Sequence, residues 1–269
     1  MLVDFHSHTR ESDGSLEPLE LAKAMDTRGV GPFSVTDHDT LAAYRPLADA
    51  VASGRVVVGI EINTTYRSNE VHILGYGLPL DDAALNALLE NNRLARGERM
   101  AKVVAGLNRF GIGLSLDEVR AEAAPGAPLG RPHVAKALVR NGYAPSVDAA
   151  FRGLLSRDRP GYVPSIHVTP MTAIETIAGA GGIPVLAHPG RLRQDDVIDE
   201  LADAGLLGLE VFYPAHTPGQ VARFRQRAEN LGLVMTAGSD FHDARYGAGA
   251  VGIEVDREDI APFLDMVLG

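Results

Sequence analysis

Phe33-Ser34-Val35-Thr36-Asp37-His38-Asp39 is a short apolar run that ends in three consecutive titratable side chains. Such groups at the carboxyl end of a buried strand are costly to desolvate unless something binds them. In an α/β barrel that end of the strands is where catalytic groups are mounted. The same arrangement recurs in both directions from residue 33. Upstream, in Asp4-Phe5-His6-Ser7-His8, a strand would turn Asp4, His6 and His8 to one face. Two imidazoles at that spacing can hold one metal ion, with Asp4 orienting a ring from behind. Ser12-Asp13-Gly14 follows as a polar turn. Downstream, Val56–Ile60 runs into Glu61, and Val71-His72-Ile73-Leu74 places a histidine inside an apolar strand. Ile183–Ala187 ends in His188-Pro189, Gly208-Leu209 leads to Glu210, and Val234–Ser239 ends in Asp240-Phe241-His242. His72 alone is best explained as a hydrogen-bonded core histidine. The whole set, at successive strand ends, points to one cation-binding face.

Short apolar runs alternate with helical segments, the habit of a parallel sheet or barrel. Strands are predicted at Leu2–Phe5, Phe33–Thr36, Val56–Ile60, Val71–Tyr76, Ile183–Ala187, Gly208–Phe212, Val234–Ala237 and Val251–Glu254. Helices are predicted near 16–28, 41–53, 171–180, 195–204, 217–231 and 258–267. The helix from 217 has an N-cap in Thr217, a proline at its first position, a capping box completed by Gln220, and Gly232 after its end. Between about Leu80 and Pro164 the alternation gives way to helical spacing, with Leu85, Leu88, Leu89, Met100, Val103, Val104 and Leu107 recurring. Residues 1–80 and 165–269 are therefore expected to form an α/β barrel, and 81–164 an inserted helical, substrate-binding subdomain. Inside the insertion, Ser115 and Glu118 form a second capping box, Arg131-Pro132-His133 opens a helix and Ser146 caps the last one.

The 269 residues suffice for a barrel with a modest insertion. A net charge of −10 argues against a protein that coats nucleic acid nonspecifically. No apolar run reaches the ~18 residues that span a bilayer, no secretory signal is read at the start, and no cysteine is present for disulfides or thiolate metal sites. A cytoplasmic protein without a membrane or obligate protein partner is the expectation.

Imidazoles mixed with carboxylates, without sulfur, suit Mn²⁺, Fe²⁺ or Zn²⁺ better than Ca²⁺. Nine candidate ligands are too many for one ion, so two or three divalent ions are expected. Closely spaced ions can bridge a hydroxide and polarise a phosphoryl group, the chemistry of in-line phosphate hydrolysis. Amidohydrolases also begin with His-x-His, and many bridge their metals with a carboxylated lysine. Here the lysines are Lys23, Lys102 and Lys136, none at a predicted strand end, whereas Glu61 is at one and can bridge.

Asp4-Phe5-His6-Ser7-His8-Thr9, Ser12-Asp13-Gly14, Thr36-Asp37-His38-Asp39, Gly59-Ile60-Glu61, His188-Pro189 and Gly238-Ser239-Asp240-Phe241-His242 together resemble the PHP (polymerase and histidinol phosphatase) family of phosphoesterases. The resemblance implies a distorted (β/α)7 barrel with a trinuclear site. Carried onto matching positions, one metal takes His6, His8, Glu61 and Asp240, a second Asp13, His38 and His242, and a third Glu61, His72 and His188. Manganese is the first expectation, with iron and zinc as alternatives. The helical insertion is similar to that of stand-alone members that remove the 3′-phosphate of nucleoside 3′,5′-bisphosphates, some of which trim short RNA from the 5′ end. A nucleotide or short oligoribonucleotide is thus the expected substrate, attacked directly by a metal-bridging hydroxide.

Arginine forks bind phosphate bidentately, so Arg131 and Arg157 are the expected phosphate clamp, with His133 beside them at a helix start that favours anions. Asp240, His188 and His133 are the catalytic candidates, either histidine serving to protonate the leaving oxygen. Arg223, Arg225 and Arg227 are expected on a solvent-facing side. A histidinol-phosphate or other small-monoester phosphatase, and a metal-stabilised binding or regulatory module, are the competing readings.

Overall fold

The computed structural model describes residues 1–165, 167–192, 196–245 and 249–269. In chain order they form β1 (Leu2–Val3), α1 (Pro18–Arg28), β2 (Phe33–Val35), α2 (Ala48–Ala52), β3 (Val56–Tyr66), β4 (Asn69–Tyr76), α3 (Ala83–Asn108), α4 (Leu116–Arg120), α5 (Arg131–Arg140), α6 (Val147–Arg152), α7 (Pro170–Gly179), β5 (Ile183–Leu186), α8 (Asp196–Asp203), β6 (Gly208–Phe212), α9 (Pro218–Leu231), β7 (Val234–Ala237), β8 (Ile253–Glu254) and α10 (Arg257–Leu268). Residue 195, the expected start of the helix at 195–204, lies outside the described residues.

One sheet runs β2-β3-β4-β5-β6-β7, and β1 pairs separately with β8. The segment after β1 closes the ring. Phe5 N–H donates to Ala237 at 2.9 Å and His8 N–H to Phe241 at 2.8 Å on one side, while Ser34 and Thr36 donate to Asp4 and Ser7 on the other. The result is a distorted seven-membered barrel that lacks regular strand pairing along residues 4–8. The expected strand over Leu2–Phe5 is therefore shorter, and the segment carrying His6 and His8 is held by bridges from Asp4 to Phe33 and from Ser7 to Phe241.

Parallel pairing holds for β2–β3, β5–β6 and β6–β7, but β4 is antiparallel to both its neighbours. The cause is local. Only Arg67 and Ser68 join β3 to β4, both at positive φ, and a two-residue turn can return a strand only antiparallel. That hairpin also extends β3 six residues beyond its expected end at Ile60. The helix expected over 41–53 is broken into a 3₁₀ turn at Ala42–Tyr44 and α2, separated by Pro46.

The barrel floor is filled by Phe5, Tyr76 and Phe263, whose rings meet edge to face with centroids 4.9–6.3 Å apart. On the outer side Ile62, Ile73, Leu186, Leu209 and Phe224 form a second core that also takes Leu85, Leu88 and Leu89 of α3. Farther along α3, Met100, Val103 and Leu107 belong to a separate cluster with Val134, Leu138 and Leu155. One helix thus threads from the barrel into the helical layer above the strand ends. Arg225 and Arg227 remain about one-third exposed and in addition stitch α9 to its neighbours: Arg225 forks onto Asp259 of α10 and Arg227 pairs with Asp199 of α8.

Candidate metal centre

Sequence places ligand-type side chains at strand ends, and closure of the barrel brings them together. His6 and His8 are fully buried, as is Glu61, the β3 residue whose backbone bridges to His38. Because β4 runs opposite to its neighbours, its beginning lies at their carboxyl ends, which is how His72, mid-strand in sequence, reaches the cluster. Asp39, His188 and Asp240 adopt left-handed backbone at φ 53°, 28° and 53°, a conformation that non-glycine residues hold only where surrounding structure enforces it.

The donor atoms are spaced for cations. His6 Nε2 lies 3.3 Å from Glu61 Oε2 and 3.4 Å from Asp240 Oδ1, and His8 Nε2 lies 3.2 and 3.3 Å from the same two oxygens. Two ligands each ~2.1 Å from a tetrahedral ion lie about 3.4 Å apart. His242 Nε2 is 3.3 Å from Asp13 Oδ1, and His38 Nε2 is 3.9 Å from Asp13 Oδ2. His38 Nδ1 is 3.0 Å from Glu61 Oε2, while Glu61 Oε1 meets His72 Nδ1 at 2.7 Å and His188 Nε2 at 3.1 Å. Three ligand groups result: His6, His8, Glu61 and Asp240; His8, Asp13, His38 and His242; and His38, Glu61 and His72. The third draws on His38 where His188 is expected, although His188 touches the same Glu61 oxygen.

Those residues fit divalent cations on a further test. His6 Nε2, both ring nitrogens of His8, His38 Nδ1 and Glu61 Oε2 are buried without a hydrogen-bond partner, a costly condition that a bound cation relieves. Burial opposes charge on Glu61, yet His38, His6 and His72 hold its carboxyl well below the usual carboxylate range. Burial likewise opposes the His8 imidazolium, but Asp240 and Glu61 push it up to about 10. The carboxylates therefore demand positive charge from whatever occupies the cluster.

Supporting contacts come from residues the sequence reading did not assign. Glu210, not Asp4, orients His6: its Oε1 lies 2.8 Å from His6 Nδ1, and its Oε2 accepts the His188 N–H at 2.7 Å. Asp4 accepts instead from Ser239 N–H, Ser239 hydroxyl and Gly252 N–H, tying the first segment to the last strands. Asp39 accepts from Arg96 Nε at 2.7 Å and Asn92 Nδ2 at 2.8 Å. Arg96 also donates to Asn63 Oδ1, which leaves the Asn63 amide N–H facing His72 Nε2 at 3.1 Å. The readable signal was Asn92 and Arg96, a polar i,i+4 pair set on the apolar side of α3. Lys136 donates to the Asp13 carbonyl at 3.0 Å, so the insertion touches the metal loop through a lysine whose ammonium is not among the clustered ligands.

A cavity of about 710 Å³ opens on the cluster. Its lining combines His38, Glu61, His72, Asp240 and His242 with Arg96, Arg99 and Arg131. Arg191 at its mouth donates to Asp240 Oδ2 at 2.8 Å and to the Tyr213 hydroxyl. The structure does not bring Arg157 or His133 here. Arg157 is exposed and lines a neighbouring cavity, and His133 lines a third, with Lys136 and Asp243. The ring of His133 caps its own helix by accepting the Gly130 N–H at 3.0 Å, and burial lowers its pKa to about 4.

No family model matches the chain. It is 32% identical over 267 residues to a 3′,5′-nucleoside bisphosphate phosphatase of Chromobacterium violaceum, covering 97% of this chain and 93% of that one. The chain belongs to the PHP family of metal-dependent phosphoesterases. The 5′-3′ exoribonuclease Rnm of Escherichia coli is also 32% identical, over 90% of this chain and 85% of its own. A structure from Bifidobacterium adolescentis assigned as a metal-dependent phosphoesterase superposes with a TM-score of 0.87 at 29% identity, covering 99% of this chain and 96% of that one. A sulfate-bound, metal-free structure from Chromobacterium violaceum named as an amidohydrolase gives the same score at 31% identity, over 94% and 91%. Membership in the PHP family accounts for the cluster as a site for divalent metals. Among the described residues no helix is long and apolar enough to cross a membrane.

Proposed function

We propose that this PHP enzyme removes the 3′-phosphate of nucleoside 3′,5′-bisphosphates and, by the same chemistry, trims short RNA from the 5′ end. The observation that carries this reading is the shared cavity, lined both by the cation-binding cluster and by the buried Arg96 and half-buried Arg99 and Arg131. His6, His8, Glu61 and Asp240 would hold one ion, Asp13, His38 and His242 a second, and Glu61 with His72 and His38 or His188 a third, with manganese as first choice. Cations held there supply Lewis acidity toward phosphoryl oxygens and lower the pKa of a water.

Arg99 and Arg131, above the cluster, would fork onto the second phosphate and fix the first against it, converting binding energy into positioning. Residues 81–164 thereby act as the substrate-binding part, and 1–80 with 165–269 as the metal-binding barrel. His133 lines a different cavity, and His188 Nε2 meets Glu61 within the cluster, so His188 would protonate the leaving oxygen only where His38 completes the third ion's ligands. A cytoplasmic setting accords with a nucleotide substrate. The names of the two relatives support the substrate class.

The test is phosphate release by the manganese-reconstituted protein from adenosine 3′,5′-bisphosphate, 5′-AMP, 3′-AMP and histidinol phosphate. Preference for the bisphosphate, abolished by chelator, is expected. Preference for histidinol phosphate would sink the nucleotide assignment, and no release from any of them would favour a binding module.

A further inference from the structure

Beside the metal-lined cavity lies a second one of about 310 Å³, and the two share Glu70, Arg99, Arg131 and Arg191. Arg157 and Tyr162 line only the second. Its other arginines are partly satisfied: Arg67 pairs with Asp196 and Glu200, and Arg191 with Asp240. Among the described residues that leaves Arg99, Arg131 and Arg157 against one lining carboxylate, Glu70, whose Oε1 accepts from Arg99 at 2.8 Å. Three guanidinium groups facing one carboxylate are a local cationic surplus in a chain of net charge −10. Such a surplus at a concave surface attracts anions.

Continuity with the metal cluster is built into β4. Glu70 and His72 lie two residues apart on one face of the strand, a spacing of about 7 Å. His72 touches Glu61 in the cluster, and Glu70 stands in the wall of both cavities. The second cavity thus begins one step beyond the site of hydrolysis, a step comparable to the spacing of successive phosphates along a nucleotide chain.

We propose that this cavity binds an additional phosphate group on substrates longer than a nucleoside bisphosphate, with Arg157 as its specificity-determining contact. The inference rests on the phosphoesterase reading above. Guanidinium forks match phosphate oxygens bidentately. The phosphate comes either from the next phosphodiester of an oligoribonucleotide or from a 5′-polyphosphate extension.

Wild-type protein, Arg157→Ala and Arg157→Lys are compared, with Mn²⁺, on adenosine 3′,5′-bisphosphate, a 5′-monophosphorylated trinucleotide RNA and adenosine 5′-diphosphate 3′-phosphate. Arg157 is exposed, so both variants are expected to fold. Loss of one charge-assisted contact is expected to lower kcat/KM for the substrate that uses the cavity about tenfold relative to the bisphosphate in the alanine variant, and by less in the lysine variant. A relative loss confined to RNA assigns the cavity to the phosphodiester, and one confined to the 5′-diphosphate assigns it to the polyphosphate. Equal changes on all three substrates, or none, overturn the proposal. So does a wild type that cleaves only the bisphosphate. A wild type that cleaves none of the three overturns the phosphoesterase reading itself, and the proposal with it.

Discussion

Glu210→Gln is the sharpest probe of how the cluster is held. Glu210 is fully buried and uses both oxygens, one against His6 Nδ1 at 2.8 Å and one for the His188 N–H at 2.7 Å. Glutamine keeps the volume but must turn its NH₂ toward one of these groups. Facing His188 it meets a backbone donor. Facing His6 it requires Nδ1 to accept, which moves the ring proton to Nε2, the atom 3.3–3.4 Å from Glu61 and Asp240. Either way the lone pair or the loop that the cluster needs is compromised. Loss of such an orienting carboxylate typically costs 10–100-fold in metal affinity, or about 1.4–2.7 kcal/mol. The assay is calorimetric titration of the chelated protein with Mn²⁺, beside its thermal melt. Wild-type manganese affinity in a folded Glu210→Gln protein would refute the reasoning.

Three further outcomes are expected. Arg96→Met leaves the buried Asp39 carboxylate without its guanidinium and frees Asn63 from its orientation toward His72, so denaturant unfolding should report a loss of about 3–5 kcal/mol. The sign of the pH dependence follows from His8. Although burial lowers its pKa, Asp240 and Glu61 raise it from 6.5 to about 10, so its stabilising contribution is full below pH ~6.5 and lost as pH rises to about 10. Metal-free protein should therefore lose melting temperature between pH 7 and 10, while manganese affinity rises over the same range because binding displaces protons. In Gly238→Ala the added Cβ would sit 2.2 Å from His6 Cβ and 2.6 Å from Glu210 Oε1, so a destabilisation of about 1–3 kcal/mol and weakened manganese binding are expected, read by melting and titration.

Apart from Asp13 in its polar turn and His72 inside a strand, the clustered side chains were legible because they sit at or near the ends of apolar runs, and ionisable groups at buried strand ends have few explanations other than a bound cation. Legibility failed where contact depends on three-dimensional closure. Nothing local distinguishes Glu210 from Asp4 as the residue behind His6, since the choice depends on which strands barrel closure brings beside the first segment. His72 read as a core histidine on its own because the antiparallel turn at Arg67–Ser68 was not recognised, and with it the inversion that brings mid-strand to the site. The helical stretch after β4 was visible as a change of period, but not the cavity each of its polar residues enters. Arg131 and Arg157 seemed equivalent in sequence, yet only Arg131 reaches the metal-lined cavity. Arg225 and Arg227 stay about one-third exposed, and what could not be read for the same reason is their pairing with α10 and α8.

The most direct measurement is a titration of chelated protein with Mn²⁺ in which bound metal and phosphate release from adenosine 3′,5′-bisphosphate are followed together. Bound manganese exceeding one ion per chain, with release from the 3′ position rising in step with occupancy, is the predicted result. Full activity in protein that retains no metal, or multiple bound ions with no release of the 3′-phosphate, would contradict it.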